Sequence, residues 1–138
     1  MDERLVELVL RAVDLIPPGR VAAYGDLGRI VGIGPRQVGA VMSRYGDGST
    51  WWRVTRASGG FSPDLLERAR PHWLEEGIAL RSNGRGCRIE EHRADLEQLE
   101  RQWRAGVADL APGDRAPRPE PRGSRPRPRR AGSRGSGR

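Results

Sequence analysis

The 138-residue sequence has no lysine, one cysteine at position 87 and two histidines, at positions 72 and 92. A lone cysteine excludes a disulfide framework and a CxxC metal motif, and so few sulfur and imidazole groups argue against structural zinc. We therefore expect no metal and no cofactor. We attribute the missing lysine to codon bias in a GC-rich genome. No signal peptide or apolar run of membrane-spanning length is recognisable, so we expect a soluble, cytoplasmic protein.

The positive charge is concentrated at one end of the chain. The net charge is +7, but residues 1–105 contain 16 Arg against 15 acidic residues, whereas residues 106–138 contain nine Arg against three. The second segment is rich in Pro, Arg, Gly and Ser, a composition typical of disorder. We expect one folded domain over 1–105 and a disordered basic tail over 106–138. The tail either raises DNA affinity electrostatically or is a neutral extension.

Hydrophobic periodicity predicts five helices. They cover residues 2–16, 24–31, 35–45, 63–76 and 92–103. The first is expected to bury Leu5, Val9, Ala12, Val13 and Ile16. The fourth is expected to pack inward Leu65, Leu66, Ala69, Trp73 and Leu74. Pro35 suits a first helical position, whereas Pro71 is expected to kink or split the fourth helix.

Two helices and two short extended segments suggest a DNA-binding architecture. Helices 24–31 and 35–45, joined by a glycine-bearing turn, form a helix-turn-helix candidate in which the second helix reads the groove. Residues 20–23 and 52–56 are predicted to be extended. Asn83-Gly84 predicts a hairpin between 78–82 and 86–90, which would form a wing. The expected fold class is mainly α with short β, a winged helix-turn-helix-like domain.

Residues 35–42 (PRQVGAVM), followed by Trp51-Trp52-Arg53-Val54, resemble the DNA-binding domain of O6-alkylguanine-DNA alkyltransferases. The upstream segment 19–27 (GRVAAYGDL) and the downstream pairs Ser58-Gly59 and Trp73-Leu74 also fit that family. The motifs come in the family's order and at close to its spacing. The resemblance covers about residues 3–90 and leaves out the tail.

The resemblance fails at the family's active site, which reads Pro-Cys-His-Arg-Val. Trp51 stands at the position of the acceptor cysteine, and Trp52 at that of its activating histidine. An indole offers neither a thiolate nor a basic nitrogen, and Cys87 lies past the predicted wing. The chain therefore resembles the alkyltransferase-like subfamily, which carries Trp at the cysteine position. The resemblance implies O6-alkylguanine binding without transfer, and so no catalytic residues; Trp52 departs even from that subfamily, which keeps the histidine.

The resemblance implies a DNA-binding surface on the second helix. Arg36 is the finger that enters the base stack when the guanine is flipped, and Tyr24 presses the neighbouring phosphate. A face of small residues enters the minor groove, which carries little sequence information. The expected DNA-binding residues are Tyr24, Pro35, Arg36, Gln37, Gly39, Ala40 and Ser43. The alternatives are a solvent-facing or phosphate-binding Arg36, a core Tyr24, and close helix packing by the small residues.

The resemblance also implies an alkylguanine pocket. Its expected residues are Trp51, Arg53, Val54, Ser58, Phe61 and Ser62. Trp51 either offers its indole face to bulky adducts or fills a dead pocket as core, and Trp52 is expected in the core. Arg53 is expected to hold loops by hydrogen bonds. Glu76 resembles the distal acid of the enzyme's relay and is expected to be structural.

Three functions remain open from these residues. The favoured one is non-enzymatic recognition of O6-alkylguanine in duplex DNA, by nucleotide flipping, with the lesion handed to nucleotide excision repair proteins. The alternative is a general helix-turn-helix regulator that does not recognise lesions. The least favoured is an active alkyltransferase that uses Cys87. In the favoured case the protein is a monomer whose partners are damaged DNA and repair proteins, and it has no membrane partner.

Overall fold

A computed structural model of the protein describes residues 2–110. The α-helices are α1 Glu3–Asp14, α2 Tyr24–Val31, α3 Pro35–Tyr45, α4 Pro63–Glu76, α5 Ile89–His92 and α6 Leu96–Gly106. Short 3-10 turns cover Trp51–Arg53 and Ala108–Leu110. Two short strands, β1 Ala22–Ala23 and β2 Val54–Thr55, pair in parallel. The predicted fold class is confirmed, and none of the described helices is long and apolar enough to cross a membrane.

Helices α2, α3 and α4 begin and end at their predicted residues because local signals define both ends. Gly32 and Gly77 adopt left-handed conformations, with φ of 97° and 75°, immediately after α2 and α4. Pro35 opens α3, where its missing amide costs nothing. These residues stop and start a helix whatever packs against it.

The turn between α2 and α3 depends on a close backbone approach. The amides of Gly32 and Ile33 both donate to the carbonyl of Gly28, at 2.7 and 2.8 Å. A Cβ added at Gly28 would lie 2.5 Å from the carbonyl oxygen of Ile33. Only glycine fits there, so the sequence specifies how the two helices of the helix-turn-helix meet.

The hydrophobic interior consists of two clusters that meet at the strand pair. The first packs α1, α2, α3 and α6 together and includes Ala22 of β1. The second lies under α4 and includes the next residue, Ala23, with Phe61 and Trp73. Tyr24 and Trp51 are half-buried and pack against both clusters. Two of the predicted site residues therefore lie at the seam between the two cores.

The buried side of α1 is wider than predicted. Val9, Ala12, Val13 and Ile16 are buried as expected, whereas Leu5 is only half-buried. Val6 and Leu10 are buried as well, because α2, α3 and α6 all pack on this helix. Asp2 caps the helix by accepting from the amide of Arg4 at 2.9 Å.

The predicted last helix, 92–103, begins only at Leu96 and runs to Gly106, and the separate short helix α5 ends at His92. Residues 93 and 94 are extended, since the Val21 amide donates to the His92 carbonyl and the Ala94 amide to the Val21 carbonyl, both at 2.9 Å. This pairing takes the backbone groups that a continuous helix would need. Asp95 then starts α6 by accepting from the amide of Gln98 at 3.1 Å.

The predicted strand 52–56 and wing are much reduced. Only Val54 and Thr55 form a strand, and the hairpin keeps a single bridge, between Leu80 and Cys87. The Cys87 amide donates to the carbonyl of Gly59 at 2.9 Å, so it is held by the loop before α4. Two hydrogen bonds still cross the hairpin, from the Arg81 amide to the Gly86 carbonyl and from the Arg88 amide to the Ala79 carbonyl, both at 2.8 Å.

Helix α4 differs from the expectation in two respects. Pro71 does not split the helix, which runs unbroken from Pro63 to Glu76, and the alternative of a kink stays a prediction. Pro71 and Glu67, whose carbonyl loses its partner, are both exposed, so water can satisfy that carbonyl. Leu74 is 70% exposed instead of packed inward.

The described fold continues past residue 105, where the predicted domain ends. Leu110 is 2% exposed, and its carbonyl accepts from Arg4 Nε at 3.1 Å. The rest of the predicted tail, residues 111–138, lies outside the described residues. Its disorder stays a prediction.

Candidate nucleic-acid interface

Helix α3 buries one side and leaves the other open. Val38 and Val41 are fully buried and Met42 is 9% exposed, as their spacing predicts. On the other side Pro35, Arg36, Gln37, Ala40 and Ser43 are exposed. A Cβ added at Gly39 would meet no atom within 4 Å. Close packing against another helix of the described chain therefore does not explain the small residues of this side, which we call the α3 face.

Arg36 stands at the start of the α3 face without a partner. Within residues 2–110 its side chain makes no hydrogen bond or ion pair. Its neighbour Gln37 turns back instead, and its Oε1 accepts from the amide of Gly34 at 3.1 Å. The cap holds the helix start in place and leaves the Arg36 guanidinium free to contact a ligand.

Tyr24 is the first residue of α2 and follows directly on β1. Burial raises the pKa of its phenol, and the nearby positive charge of Arg56 opposes that rise. The ring packs against both hydrophobic clusters, while the side chain as a whole remains half-buried. Tyr24 is therefore neither fully core nor fully exposed, and its contact with a phosphate stays a prediction.

Trp51 lies in the 3-10 turn between α3 and β2 and is half-buried. Its ring meets Phe61 and His72 edge-on, at centroid distances of 5.6 and 6.0 Å. The guanidinium carbon of Arg68 lies over the same ring, 5.3 Å from its centroid. The indole is therefore neither a fully enclosed core residue nor a freely exposed one.

Trp52 is held by α4 and packs against the second hydrophobic cluster, so it is at the border of the core in which we expected it. Its ring stacks on His72 at 3.7 Å and 6°, and its Nε1 donates to Glu76 Oε2 at 3.0 Å. The side chain is only half-buried. Its polar Nε1 requires an acceptor, and Glu76 supplies one near the surface.

Arg53 and Glu76 form the centre of a polar network, as predicted for both. Arg53 Nη2 lies 2.6 Å from Glu76 Oε2, and Arg53 Nη1 donates to the Ile16 carbonyl at 2.9 Å. Glu76 Oε1 also accepts from the Gly19 amide at 3.0 Å. Burial works to raise the pKa of Glu76, but the hydrogen bonds from Arg53, Gly19 and Trp52 outweigh it and lower the pKa. The network ties the end of α1 to the end of α4.

The remaining predicted pocket residues are less uniform. Val54 is fully buried in β2, and Phe61 is 7% exposed and stacked on Trp73 at 5.8 Å. Ser58 lies on an exposed turn whose carbonyl accepts from Arg81 Nε at 3.0 Å, and Ser62 precedes α4. Phe61 therefore belongs mainly to the core and only borders Trp51. No hydrogen bond or ring contact joins the α3 face to Trp51 within the described chain.

Our prediction missed Arg68 and His72. Arg68 stands two helical turns before Glu76 on α4 and His72 one turn before it, so all three share one face. That face contacts the tryptophan pair at every turn: Arg68 over Trp51, His72 on Trp52, and Glu76 at the Trp52 nitrogen. The four-residue spacing of polar residues was the available signal. We call these three residues the α4 ladder.

Cys87 is unsuited to act as a nucleophile. It is fully buried, and burial raises the pKa of its thiol to about 11. A protonated, inaccessible thiol does not attack an alkyl carbon. Among residues 2–110, no group of three or more His, Cys, Asp or Glu side chains could hold a metal ion.

A groove of about 620 Å³ lies elsewhere, between the end of α1 and the start of α6. It is lined by residues that include Leu15, Arg20, Arg93 and Gln102. None of the predicted site residues lines it.

Comparison with known proteins identifies relatives of this arrangement. Residues 5–78 match the family model described as the 6-O-methylguanine DNA methyltransferase, DNA binding domain. The chain is 37% identical over 90 residues to proteins named DNA base-flipping protein from Escherichia coli (strain K12) and Shigella flexneri, covering 60% of this chain and 69% of each relative. It also resembles the crystal structure of S. pombe Atl1 in complex with damaged DNA containing O6-carboxymethylguanine, with 25% identity and a TM-score of 0.59, over 69% of this chain and 98% of that one.

Proposed function

Because the chain belongs to the family of 6-O-methylguanine DNA methyltransferase DNA-binding domains, as an alkyltransferase-like protein, we propose that it recognises O6-alkylguanine in duplex DNA. It docks in the minor groove through the α3 face and flips the damaged nucleotide out of the helix. Support comes from the relatives named for base flipping and from the structural neighbour bound to damaged DNA. The open space beside Gly39 and the unpartnered Arg36 suit this docking.

One observation carries the proposal: Trp51 is an aromatic platform at the seam of the two cores, bordered by Phe61, His72 and Arg68. A flipped base leaves a stack in DNA and needs another apolar surface to replace it. Flipping costs a few kcal/mol. Insertion of Arg36 into the gap and contact of the adduct with Trp51 offset that cost.

The protein performs this recognition without transferring the alkyl group. Trp51 and Trp52 occupy the positions where the resembling enzymes have the cysteine and histidine, and the Nε1 of Trp52 is already bonded to Glu76. Cys87 is buried with a raised pKa. A bound lesion therefore remains chemically intact, and the protein hands it, as a monomer, to nucleotide excision repair proteins.

The test is a binding comparison at fixed salt between a duplex with one O6-methylguanine and the same duplex unmodified. We expect at least about tenfold tighter binding to the lesion, which corresponds to about 1.4 kcal/mol of differential contact. Equal affinities would show that damage recognition is wrong and would favour the general helix-turn-helix regulator. That regulator would instead select a particular sequence and ignore the adduct.

Two further measurements separate the finer parts of the proposal. Mass spectrometry after incubation with methylated DNA should find no methyl group on the protein, and a stable methyl adduct would contradict the non-enzymatic assignment. Incision of the lesion duplex by reconstituted nucleotide excision repair proteins should be faster when the protein is present. An unchanged incision rate would remove the link to that pathway and leave lesion binding intact.

A further inference from the structure

We propose that Arg56 and Tyr24 together bind one phosphate of the DNA backbone next to the flipped nucleotide. The inference rests on the proposed function and extends it to Arg56, which the resemblance does not assign to DNA. It follows from where the strand pair ends, from the rigidity of the turn that carries Arg56, and from the charge of its surroundings.

The parallel strands place the two residues side by side. Ala23 pairs with Thr55 in the last register of the sheet. Tyr24 follows Ala23, and Arg56 follows Thr55, so both leave the sheet at the same edge. The carboxyl edge of parallel strands is a common place for ligand sites because the chains diverge there.

The turn after β2 holds the backbone of Arg56 in place. The Arg56 amide donates to the Gly60 carbonyl at 3.1 Å, and the Gly59 amide donates to the Arg56 carbonyl at 2.8 Å. The Gly59 carbonyl in turn accepts from the amide of Cys87. A backbone fixed at this many points lets an exposed side chain bind with little loss of backbone entropy.

The Arg56 side chain is charged and has no partner. Eight other arginines of the described chain form ion pairs with carboxylates: Arg11, Arg29, Arg53, Arg70, Arg81, Arg88, Arg93 and Arg104. Arg56 makes no side-chain hydrogen bond or ion pair within residues 2–110, and it is exposed. The carboxylate nearest to Tyr24 along the chain, Asp26, is buried and already paired with Arg29 and Arg93.

The chemistry of the two groups selects a phosphate oxygen. A guanidinium is a donor only, and the phenol can donate its O–H, so both fit an acceptor-rich anion. The charge of Arg56 acts on the Tyr24 phenol, where it opposes the rise in pKa that burial causes. This interaction agrees with the strand register, which brings both residues to the same end of the sheet. Duplex DNA offers phosphates in a fixed row, and such contacts position a protein without reading sequence.

The first experiment measures the salt dependence of duplex binding for the full chain and for Arg56→Gln. Each phosphate contact contributes about −0.9 to the slope of log K against log salt. We expect the slope to become less steep by about one and the affinity to fall about tenfold at low salt. Arg56→Lys should keep the slope, because the charge remains. The matched control is Arg101→Gln on α6, an exposed arginine that also makes no side-chain hydrogen bond or ion pair within residues 2–110, and it should leave both quantities unchanged.

A methylphosphonate scan then identifies the phosphate. Replacing each phosphate near the lesion with a neutral methylphosphonate should weaken binding of the wild type at one position more than elsewhere. When the methylphosphonate is at that position, Arg56→Gln should bind no more weakly than the wild type. If Arg56→Gln lowers affinity by the same factor on every methylphosphonate duplex as on the unsubstituted duplex, Arg56 contacts no single phosphate and the proposal is wrong.

A DNA-free measurement tests the juxtaposition by itself. In a Tyr45→Phe background, ultraviolet titration follows the one remaining phenol, that of Tyr24. Arg56→Gln should raise the pKa of Tyr24, since it removes the opposing positive charge. An unchanged pKa would overturn the shared site.

The outcomes for this site and for the proposed function can be told apart. If lesion and plain duplexes bind equally but Arg56→Gln lowers the salt slope on both, the phosphate site stands and lesion recognition fails. If the lesion is preferred and the slope does not change, lesion recognition stands and the phosphate site fails. A wild type that binds no duplex would overturn both.

Discussion

The α3 face and the Trp51–Arg53 turn differ in how far their polar groups are already satisfied. On α3, Arg36 has no partner within the described chain, and the space beside Gly39 is empty. In the turn, Arg53 bonds Glu76 and the carbonyl of Ile16, and Trp52 is both stacked and hydrogen-bonded. The polar groups of α3 are available to bind a partner, whereas those of the turn are already bonded within the protein. The comparison suggests that DNA docks on α3 and that the turn supplies a rigid surface for what is flipped out.

Among substitutions that test this contrast, we expect the largest change in the free energy of unfolding at Glu76. Glu76→Gln removes the charge that faces Arg53, whose side chain is 11% exposed. A nearly buried guanidinium left without its partner should cost about 3 kcal/mol in the free energy of unfolding, measured by urea denaturation. Glu100→Gln is the control, because it breaks an equally short but exposed pair with Arg104, and it should cost at most about 0.5 kcal/mol.

The pH dependence of the free energy of unfolding tests the same ion pair in the wild type and in Glu76→Gln. The pKa of Glu76 is lower in the folded protein than its ordinary value of 4.5. Its contribution to stability is therefore fully present above pH 4.5 and is lost as the pH falls through the lowered value. Below pH 4.5 the stability of the wild type should fall toward that of Glu76→Gln. Parallel curves over that range would mean that the network does not stabilise the fold.

A smaller effect, on binding alone, is expected at Arg36. Arg36→Ala removes a side chain that has no contact to lose in the free protein, so the free energy of unfolding should not change. Affinity for the lesion duplex should fall by about 2 kcal/mol, roughly thirtyfold. The fluorescence of 2-aminopurine placed beside the lesion, which reports flipping, should be lost as well. If the signal persists and affinity drops equally on both duplexes, Arg36 contacts a phosphate and does not enter the stack.

The smallest effect is expected at Gly39, where a substitution should raise the stability of the free protein and weaken its binding to duplex DNA. Gly39→Ala places a methyl group in empty space and improves helix propensity, so the free protein should gain about 0.5–1 kcal/mol of stability. The same methyl group should weaken duplex binding if α3 lies against the groove. Gly106→Ala at the end of α6, where space is also open, should leave duplex affinity unchanged. Unchanged affinity for Gly39→Ala as well would place the groove elsewhere.

The errors in the sequence-based predictions occur where distant backbone groups pair. The last helix begins only at Leu96, because the backbone groups of His92 and Ala94 bond Val21. Val21 is far from them in sequence, so periodicity could not reveal this pairing. The buried stripe of α1 is wider than predicted for a related reason, since α2, α3 and α6 all pack against this helix.

The candidate site likewise contains features that the sequence predicted and features that it could not predict. The exposed residues of α3 follow from its periodicity, and the structural role of Arg53 and Glu76 was predicted from the resemblance and is confirmed. The surroundings of Trp51 were not predictable, because Arg68 and His72 reach it from α4. Phe61 was predicted to line the pocket and is mostly core.

The sequence by itself determined the bounds of α2, α3 and α4, the buried stripe of α3, and the absence of a cysteine and histidine at positions 51 and 52. Glycine, proline and apolar spacing act within a few residues, so these features need no knowledge of the fold. Only the tertiary structure decided that the tryptophan pair rests on the α4 ladder and that Tyr24 and Arg56 leave the sheet together. Those contacts join residues distant in sequence, and the packing of the two cores sets them.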